Sequence, residues 1–300
     1  MKTFGKRIHL FDKTKGDIVC PHFWILAWAR GCPFNCAWCY LQGTYRIQGK
    51  QPYFYPRSEV DHSIKLFNDK VKEPQLLNSG ELCDSLMGEH LKPLPFTHWV
   101  LSRLAGVESP HRVLFLSKMA TVENIVEYSD VYPDTWKKAS VFSWSLNADS
   151  VAKRWEHGAP PVKDRVEASR KVAEAGYEVR IRIDPIIPGF DTEYRDLIDQ
   201  LLDNLTPSRI TLGSLRGLQS TINAATDKSW VPYLSEKSDW GLRVPFSTRL
   251  TMYSAIIGHL RDTHGYRGPV ALCKETHATW DKLRFMLGMR PEERLCNCVP

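Results

Sequence analysis

Short apolar runs alternate with amphipathic stretches along most of this chain. Apolar runs of a few residues indicate buried strands, and apolar residues three and four apart indicate helices that cover a core. The runs predict strands at 22–29, 75–78, 112–117, 140–146, 178–183, 209–212 and 270–273. The amphipathic stretches predict helices at 58–72, 96–105, 161–175, 194–205, 245–261 and 279–287.

Three stretches lack this alternation. Residues 1–19 are polar and predict a leader arm, and residues 43–57, rich in Tyr, Gln, Gly and Pro, predict a loop. Residues 213–245 hold many Ser, Gly and Trp residues and give no clear pattern. The clearest helix is 161–175, because Pro161 begins it and Gly176 follows its end.

The alternation of strand and helix predicts an α/β fold, in which a parallel sheet with helical crossovers is either open or closed into a barrel. Three hundred residues suit a single domain, with a core at about 20–215 and a C-terminal extension at about 216–300. In such barrels the reactive groups follow the carboxyl ends of the strands. The residues at such ends are Cys32, Glu81, Cys83, Lys118, Asn147 and Asp184.

Charge and composition narrow the class of protein. The formal net charge of +6 and the pI of 8.8 permit a polyanionic partner without requiring one. Eight cysteines without a secretory leader indicate a reducing compartment and metal or redox use rather than disulfides. No apolar run reaches transmembrane length, so we expect a cytoplasmic protein.

The spacing of three cysteines is the strongest chemical signal. Cys32, Cys36 and Cys39 follow a buried apolar run in the pattern Cys-x3-Cys-x2-Cys. Because iron–sulfur clusters are ligated by cysteine thiolates, three thiolates can hold three irons of a [4Fe–4S] cube and leave the fourth iron for a small molecule. A structural zinc site needs four ligands, and no fourth cysteine or histidine lies nearby at such spacing. The other alternative is three reduced, buried cysteines.

This loop resembles the signature of the radical S-adenosylmethionine (radical SAM) superfamily, and further motifs are similar to those of one family, spore photoproduct lyase. The likeness runs from about residue 20 to about residue 190. The matching segments are 31–42, Cys83 with Ser85, 115–118, 144–149, 156–161, 165–168 and 172–177.

The resemblance implies a partial, (β/α)6-type radical SAM barrel with N- and C-terminal extensions, which binds a [4Fe–4S] cluster and SAM. In this superfamily the reduced cluster cleaves SAM to a 5′-deoxyadenosyl radical that abstracts a substrate hydrogen, and the family repairs a thymine dimer in spore DNA. The residues that the resemblance assigns to SAM are Tyr40, Ser85, Lys118 and Ser145. It also implies that Cys83 is a hydrogen-atom donor.

The chain departs from the family at three places. The family's tyrosine before the third cluster cysteine is Trp38 here, which has no O–H to give, so we expect hydrogen return through Tyr40 or an external reductant. The family's fifth strand is apolar, whereas Arg180, Arg182 and Asp184 alternate with apolar residues here. No counterpart of the family's lesion-binding hairpin is evident near the C-terminus.

Several assignments have ordinary structural alternatives. Ser79, Gly80 and Glu81 resemble a Gly-Gly-Glu segment that contacts the SAM amino group elsewhere in the superfamily, but they also suit a strand-ending turn. Cys83 is either functional or an inert core thiol. Lys118 is either a SAM contact or a solvated strand end.

The polar residues of the fifth strand are either an exposed face or an inward row that binds an anionic or hydrogen-bonding ligand. We place Arg182 and Asp184 in the inward row. Together with Asn147, at the end of the preceding strand, they complete the predicted cofactor-binding set.

The resemblance leaves Cys20, Cys273, Cys296 and Cys298 without a role. Thiolates of this kind ligate zinc or a second cluster. We predict that Cys273, Cys296 and Cys298 lie close together and bind a second metal centre. The alternative is scattered reduced cysteines and a frayed tail.

Three functions compete. The first is a radical SAM enzyme that acts on DNA or a nucleotide, the second is a radical SAM enzyme that acts on a peptide or small metabolite, and the third is a non-catalytic iron–sulfur or zinc protein. For the first two we expect a monomer without a membrane partner, reduced by a flavodoxin- or ferredoxin-like donor.

Overall fold

A single large sheet organises the chain. The computed structural model describes residues 2–106, 109–131, 134–288, 293 and 295–300, so Met1 of the predicted leader and Arg294 of the tail lie outside the described residues. The sheet has nine strands in the described chain, and their spatial order is their order along the sequence. They are β1 Thr3–Phe4, β2 Ile8–Phe11, β3 Phe23–Leu26, β4 Leu76–Asn78, β5 Arg112–Ser117, β6 Ser140–Leu146, β7 Glu178–Ile186, β8 Arg209–Ser214 and β9 Val270–Leu272.

Strands β3 to β9 all pair in parallel, whereas β1 and β2 extend the sheet antiparallel beyond β3. The predicted α/β class with a parallel sheet is therefore confirmed, and the sheet is open because β1 and β9 do not pair within the described residues. The predicted leader arm is wrong at 3–4 and 8–11, where the chain covers the edge of β3. Edge strands need such a cover because their unpaired amides invite aggregation.

Helices connect the strands. They are α1 Leu41–Thr44, α2 Arg57–Lys70, α3 Phe96–Ala105, α4 Glu123–Glu127, α5 Asp134–Ala139, α6 Asp149–Trp155, α7 Val162–Glu174, α8 Asp191–Asn204, α9 Gln219–Ala224, α10 Phe246–Gly258 and α11 His277–Leu287. A π-helical turn, His259–Thr263, continues α10. None of the helices in the described part of the chain has the length and apolarity needed to cross a membrane.

Short strand pairs hold the loops. They join Ala29–Arg30 to Tyr53–Phe54, Asn35–Cys36 to Glu156–His157, and Ile18–Val19 to Glu275–Thr276. The unassigned stretch 213–245 contains α9 and a hairpin of Glu236–Ser238 and Gly241–Arg243, which also pairs with Arg216–Gly217. The hairpin went unpredicted because its strands are three residues long and mostly polar.

The two faces of the sheet are filled differently. On β6, Phe142 and Trp144 point to the helices, and Phe142 stacks on Phe115 of β5 with ring centroids 5.0 Å apart. Alternate residues point the other way, so Val141 lies on the opposite face, which we call the inner face. The inner face of the sheet is covered by the end of the chain, since Cys298 packs against Leu76, Leu114 and Val141.

The C-terminal region is joined to the sheet through one buried carboxylate. Glu275 is fully buried and forms ion pairs with Arg243 (2.7 Å) and Arg249 (3.3 Å). Its Oε1 also accepts hydrogen bonds from the hydroxyls of Ser214 (2.7 Å) and Tyr253 (2.8 Å). Removing the carboxylate would leave the buried guanidinium of Arg243 without its charge partner and would leave Arg249 paired with Glu236 alone.

We therefore expect Glu275→Leu to lower the free energy of unfolding by about 3–5 kcal/mol, the usual cost of breaking a buried ion pair. Urea unfolding followed by circular dichroism measures the change. As a matched control, Asp149→Asn removes an exposed pair with Lys153 and should cost less than about 1 kcal/mol. Equal losses in the two variants would contradict the role of Glu275.

The same group makes stability depend on pH. Burial raises the pKa of Glu275, but the charges of Arg243 and Arg249 and the hydrogen bonds from Ser214 and Tyr253 together lower it more, so it lies below its ordinary value. Its stabilising contribution is therefore complete above the pKa of an unfolded glutamate, about 4.3. The contribution is lost as the pH falls through the lower folded-state value.

Candidate functional site

A cavity of about 380 Å³ opens at the carboxyl ends of the parallel strands. It is lined by most of the residues singled out from the sequence. These are Cys32, Cys36, Cys39, Tyr40, Gly80, Glu81, Cys83, Lys118, Ser145, Arg182 and Asp184. Residues from five strand ends meet here because parallel strands end at one edge of the sheet.

Backbone contacts fix the cysteine loop. Cys32 N donates to Lys50 O at 2.8 Å, and Cys36 lies in the short strand that pairs with Glu156–His157. Gly31 has φ +78°, and a Cβ there would lie 2.2 Å from Gln51 O, so only glycine fits this approach. Backbone contacts therefore determine the shape of the loop that carries the three thiols.

The donor set at this loop fits a [4Fe–4S] cluster with one open iron. Three thiols of one loop face the same cavity, and thiolate is the ligand that iron–sulfur clusters require. Burial raises the pKa of Cys32 to about 12, so iron must displace the thiol proton when it binds. Cys83 is a further thiol in the lining, but its Sγ donates to Ser79 O at 3.4 Å.

The segment after β4 divides into lining and supporting residues. Gly80 and Glu81 line the cavity. Ser79 and Ser85 do not: their hydroxyls lie 2.9 Å apart, Ser79 donates to Leu114 O, and Ser85 accepts from Leu116 N. The structure thus places these two predicted SAM contacts where they support the segment instead of facing the cavity.

Lys118 and Ser145 meet in the cavity wall. Lys118 Nζ donates to Ser145 Oγ at 2.6 Å and lies 3.0 Å from a carboxylate oxygen of Glu156. Glu156 also pairs with Arg165 at 2.5 Å. Burial raises the pKa of Glu156, but Lys118 and Arg165 lower it more, so the carboxylate stays charged. Glu156 and Arg165 were not among the predicted site residues, because segments 156–161 and 165–168 stood out only by their similarity to the family.

Asn147 lies outside the cavity lining. It is fully buried, its Nδ2 donates to Pro185 O at 2.9 Å, and its Oδ1 accepts from the hydroxyl of Tyr194 at 2.8 Å. The side chain therefore joins the ends of β6 and β7 and has no group left facing the predicted cofactor.

The predicted polar row on β7 is divided between two environments. Asp184 Oδ2 accepts from Arg182 Nη2 at 2.5 Å and from Arg216 Nη2 at 2.9 Å. Burial raises the pKa of Asp184, but the two guanidiniums hold it well below its ordinary value. Two cations on one carboxylate leave a net positive charge at the cavity wall. Arg180 lies elsewhere and contacts the tail, where its Nη1 donates to Asn297 O at 2.9 Å.

Two further lining residues, Trp240 and Lys274, also went unpredicted. Trp240 is at the tip of the hairpin 236–243. Lys274 Nζ lies 4.7 Å above its ring, within the range of a cation–π contact. Trp240 and Arg216 belong to the stretch 213–245, which has no clear strand or helix pattern. Lys274 directly follows the predicted strand 270–273, so its position at a strand end was a signal that could have found it.

The residues considered for hydrogen transfer lie at the same cavity. Tyr40, on the cysteine loop, donates its hydroxyl hydrogen to Glu81 O. Cys83 is 5% exposed and faces the cavity that the cluster cysteines line. Trp38 also lines it, with its ring 5.7 Å from that of Trp155.

The remaining thiols lie behind this site. Cys273, Cys296 and Cys298 line a second, smaller cavity, together with Cys20. Glu81, Arg182 and Lys274 separate the two cavities, because they line both.

Known protein sequences resemble this chain over its first two thirds. The sequence model of the family "Spore photoproduct lyase" matches residues 11–213. The chain is 29% identical to the spore photoproduct lyase of Bacillus subtilis (strain 168) over 184 residues, which are 59% of this chain and 50% of that protein. It is 26% identical to the enzyme of Geobacillus sp. (strain Y412MC61) over 185 residues, with the same coverage. The chain thus spans about half the length of the curated relatives it matches.

The fold has a solved counterpart. A spore photoproduct lyase complexed with dinucleoside spore photoproduct superposes with a TM-score of 0.67 at 17% sequence identity, over 83% of this chain and 75% of that one. At this identity the likeness establishes the fold, a partial α/β barrel. Since the family's sequence model matches well over half of the residues, the chain belongs to the spore photoproduct lyase family.

Proposed function

We propose that this protein is a radical SAM enzyme that removes a hydrogen atom from a nucleic-acid or nucleotide substrate. One observation carries the proposal: three cluster-type cysteines, Lys118 with Ser145, and the thiol of Cys83 share one cavity. A non-catalytic metal protein would need the three cysteines but not the other groups.

Each part of the lining has a task in this proposal. Cys32, Cys36 and Cys39 would hold a [4Fe–4S] cluster, and Glu81 offers a carboxylate for the ammonium group of SAM. Gly80 lets this segment pack closely against β5, since a Cβ there would lie 2.8 Å from Leu116 Cβ. When bound, the reduced cluster and SAM supply a 5′-deoxyadenosyl radical that abstracts the substrate hydrogen.

The part of the cavity wall that holds Arg182, Arg216 and Trp240 suits an anionic substrate with flat rings. Arg182 and Arg216 outnumber the one carboxylate of Asp184, and Lys274 adds a further positive charge. Trp240 presents an aromatic ring of the kind on which bases stack. The relatives support the same substrate class, because one solved spore photoproduct lyase binds a dinucleoside spore photoproduct.

The test is anaerobic turnover of the reconstituted protein. With SAM and dithionite, which replaces a flavodoxin- or ferredoxin-like donor, we expect 5′-deoxyadenosine to appear. We expect dinucleoside spore photoproduct to accelerate its formation and to be converted to thymine-containing product, as measured by liquid chromatography with mass spectrometry. Unirradiated DNA and a mixed peptide pool are the matched controls.

Two results would contradict the proposal at different levels. No 5′-deoxyadenosine from cluster-loaded protein would exclude a radical SAM enzyme. Acceleration by the peptides, with none by the dinucleoside, would retain the enzyme class and exclude the nucleotide substrate.

A further inference from the structure

Four cysteines that play no part in the proposed reaction converge inside the fold. Cys20 precedes β3, Cys273 follows β9, and Cys296 and Cys298 belong to the tail, yet all four line one small cavity. Cys296 and Cys298 are separated by a single residue. Three separate segments of the chain thus bring sulfur to one place.

The tail is bound firmly to the inner face of the sheet. Arg180 Nη1 donates to Val299 O at 2.6 Å as well as to Asn297 O, and Arg209 Nη1 donates to Cys296 O at 2.8 Å. Arg180 is the third residue of β7, and Arg209 is the first residue of the neighbouring strand β8. A frayed tail, the alternative considered from the sequence, is therefore excluded for residues 296–299.

Hydrogen-bond donors lie against two of the four sulfur atoms. Cys273 Sγ lies 3.3 Å from Arg182 Nη2 and 3.6 Å from Arg216 Nη2. Asn78 Nδ2 lies 3.7 Å from Cys298 Sγ. Cationic and amide donors of this kind stabilise thiolates that ligate a metal and tune the centre they hold. An ordinary apolar core would not place two guanidinium groups against a thiol.

The spacing of the thiols distinguishes between metals. A zinc ion at 2.3 Å from four sulfurs holds those sulfurs roughly 3.8 Å apart. Within the described chain, however, only Asp199, His259 and His264 bring three ligand atoms within 4.8 Å of one another. The four thiols are thus more widely spaced than a zinc site, as are Cys32, Cys36 and Cys39. Wider spacing is expected where each thiolate binds its own iron.

We propose that Cys20, Cys273, Cys296 and Cys298 bind a second [4Fe–4S] cluster, in which every iron has a cysteine ligand. This proposal does not rest on the proposed reaction, because it concerns only what the four thiols hold.

The experiment removes the ligands of the first cluster and measures the iron and sulfide that the chain still binds. After anaerobic reconstitution of the full chain carrying Cys32→Ala, Cys36→Ala and Cys39→Ala, we expect about four irons and four sulfides per chain. The EPR signal of the reduced centre should not change when SAM is added, because no iron is open. The unaltered chain should hold about eight irons.

Two variants locate the metal. Adding Cys20→Ser and Cys298→Ser to the triple variant should remove the iron, with circular dichroism used to check that the fold persists. Adding His259→Ala and His264→Ala instead, which removes the other candidate ligand group, should leave the iron content unchanged. If serine substitution unfolds the chain, Mössbauer spectroscopy of the triple variant still decides, because it shows whether a [4Fe–4S] cluster is present. Zinc in place of iron, or no metal, would overturn the proposal.

Discussion

Cys36→Ala is expected to abolish SAM cleavage and to leave the cysteine loop unable to hold its cluster. The side chain is 6% exposed and lines the main cavity. Its backbone pairs with the Glu156–His157 strand through groups that alanine keeps, so the loop should retain its shape. Loss of even an outer partner of a metal ligand costs about 10–100-fold, so loss of a ligand itself should lower activity by more than about 100-fold.

The measurement is the rate of 5′-deoxyadenosine formation with SAM and dithionite, together with the EPR signal of the reduced cluster. SAM should shift the signal of the unaltered protein, and that SAM-sensitive signal should be missing from the variant. Cys83→Ala serves as the control, since it removes a buried thiol of the same cavity that is not a predicted ligand. A Cys36→Ala protein that binds a SAM-responsive cluster and cleaves SAM would refute the assignment.

Cys83→Ala is expected to separate SAM cleavage from product formation. After hydrogen abstraction the substrate radical must gain a hydrogen atom, and a thiol gives one readily because its S–H bond is weak. Cys83 faces the cavity, and its Sγ lies 3.4 Å from Ser79 O. The resulting thiyl radical must then recover a hydrogen atom. Trp38 has no O–H, which leaves Tyr40 or an external reductant as the source.

The variant should therefore form 5′-deoxyadenosine within about tenfold of the normal rate while correct product falls by at least about 100-fold, as expected when one member of a catalytic set is removed. Product analysis by mass spectrometry, with the substrate of the turnover assay, measures both. Cys83→Ser is the matched variant: it keeps the size and a donor but lacks the weak S–H bond, so it should fail like alanine. Normal product from either variant would disprove the role of Cys83.

The sequence alone determined the features that depend on short spacing. Cys32, Cys36 and Cys39 lie within eight residues, so their joint presentation follows from one loop. The strands were recognisable from their apolar runs, and the polar residues that follow them had to meet because parallel strands end at a common edge. That reasoning placed Glu81, Lys118 and Arg182 at one site, and all three line the cavity.

Side-chain direction was decided only by packing. Ser79, Ser85 and Asn147 lie at the predicted strand ends, yet their polar atoms bond neighbouring strands and segments. Spacing along the chain places a residue near a site, but whether its hydroxyl faces the cavity depends on which buried groups around it need a partner.

Contacts between distant segments were likewise decided only by the tertiary structure. The alternation of β7 put Arg180 and Arg182 on one face, but Arg180 meets the tail while Arg182 meets Asp184 and Cys273. Arg216, Trp240 and Cys20 carry no local pattern that a sequence can display. They meet the rest of the site because residues 213–300 fold back over the open sheet, where burial and charge pairing are satisfied by groups far away along the chain.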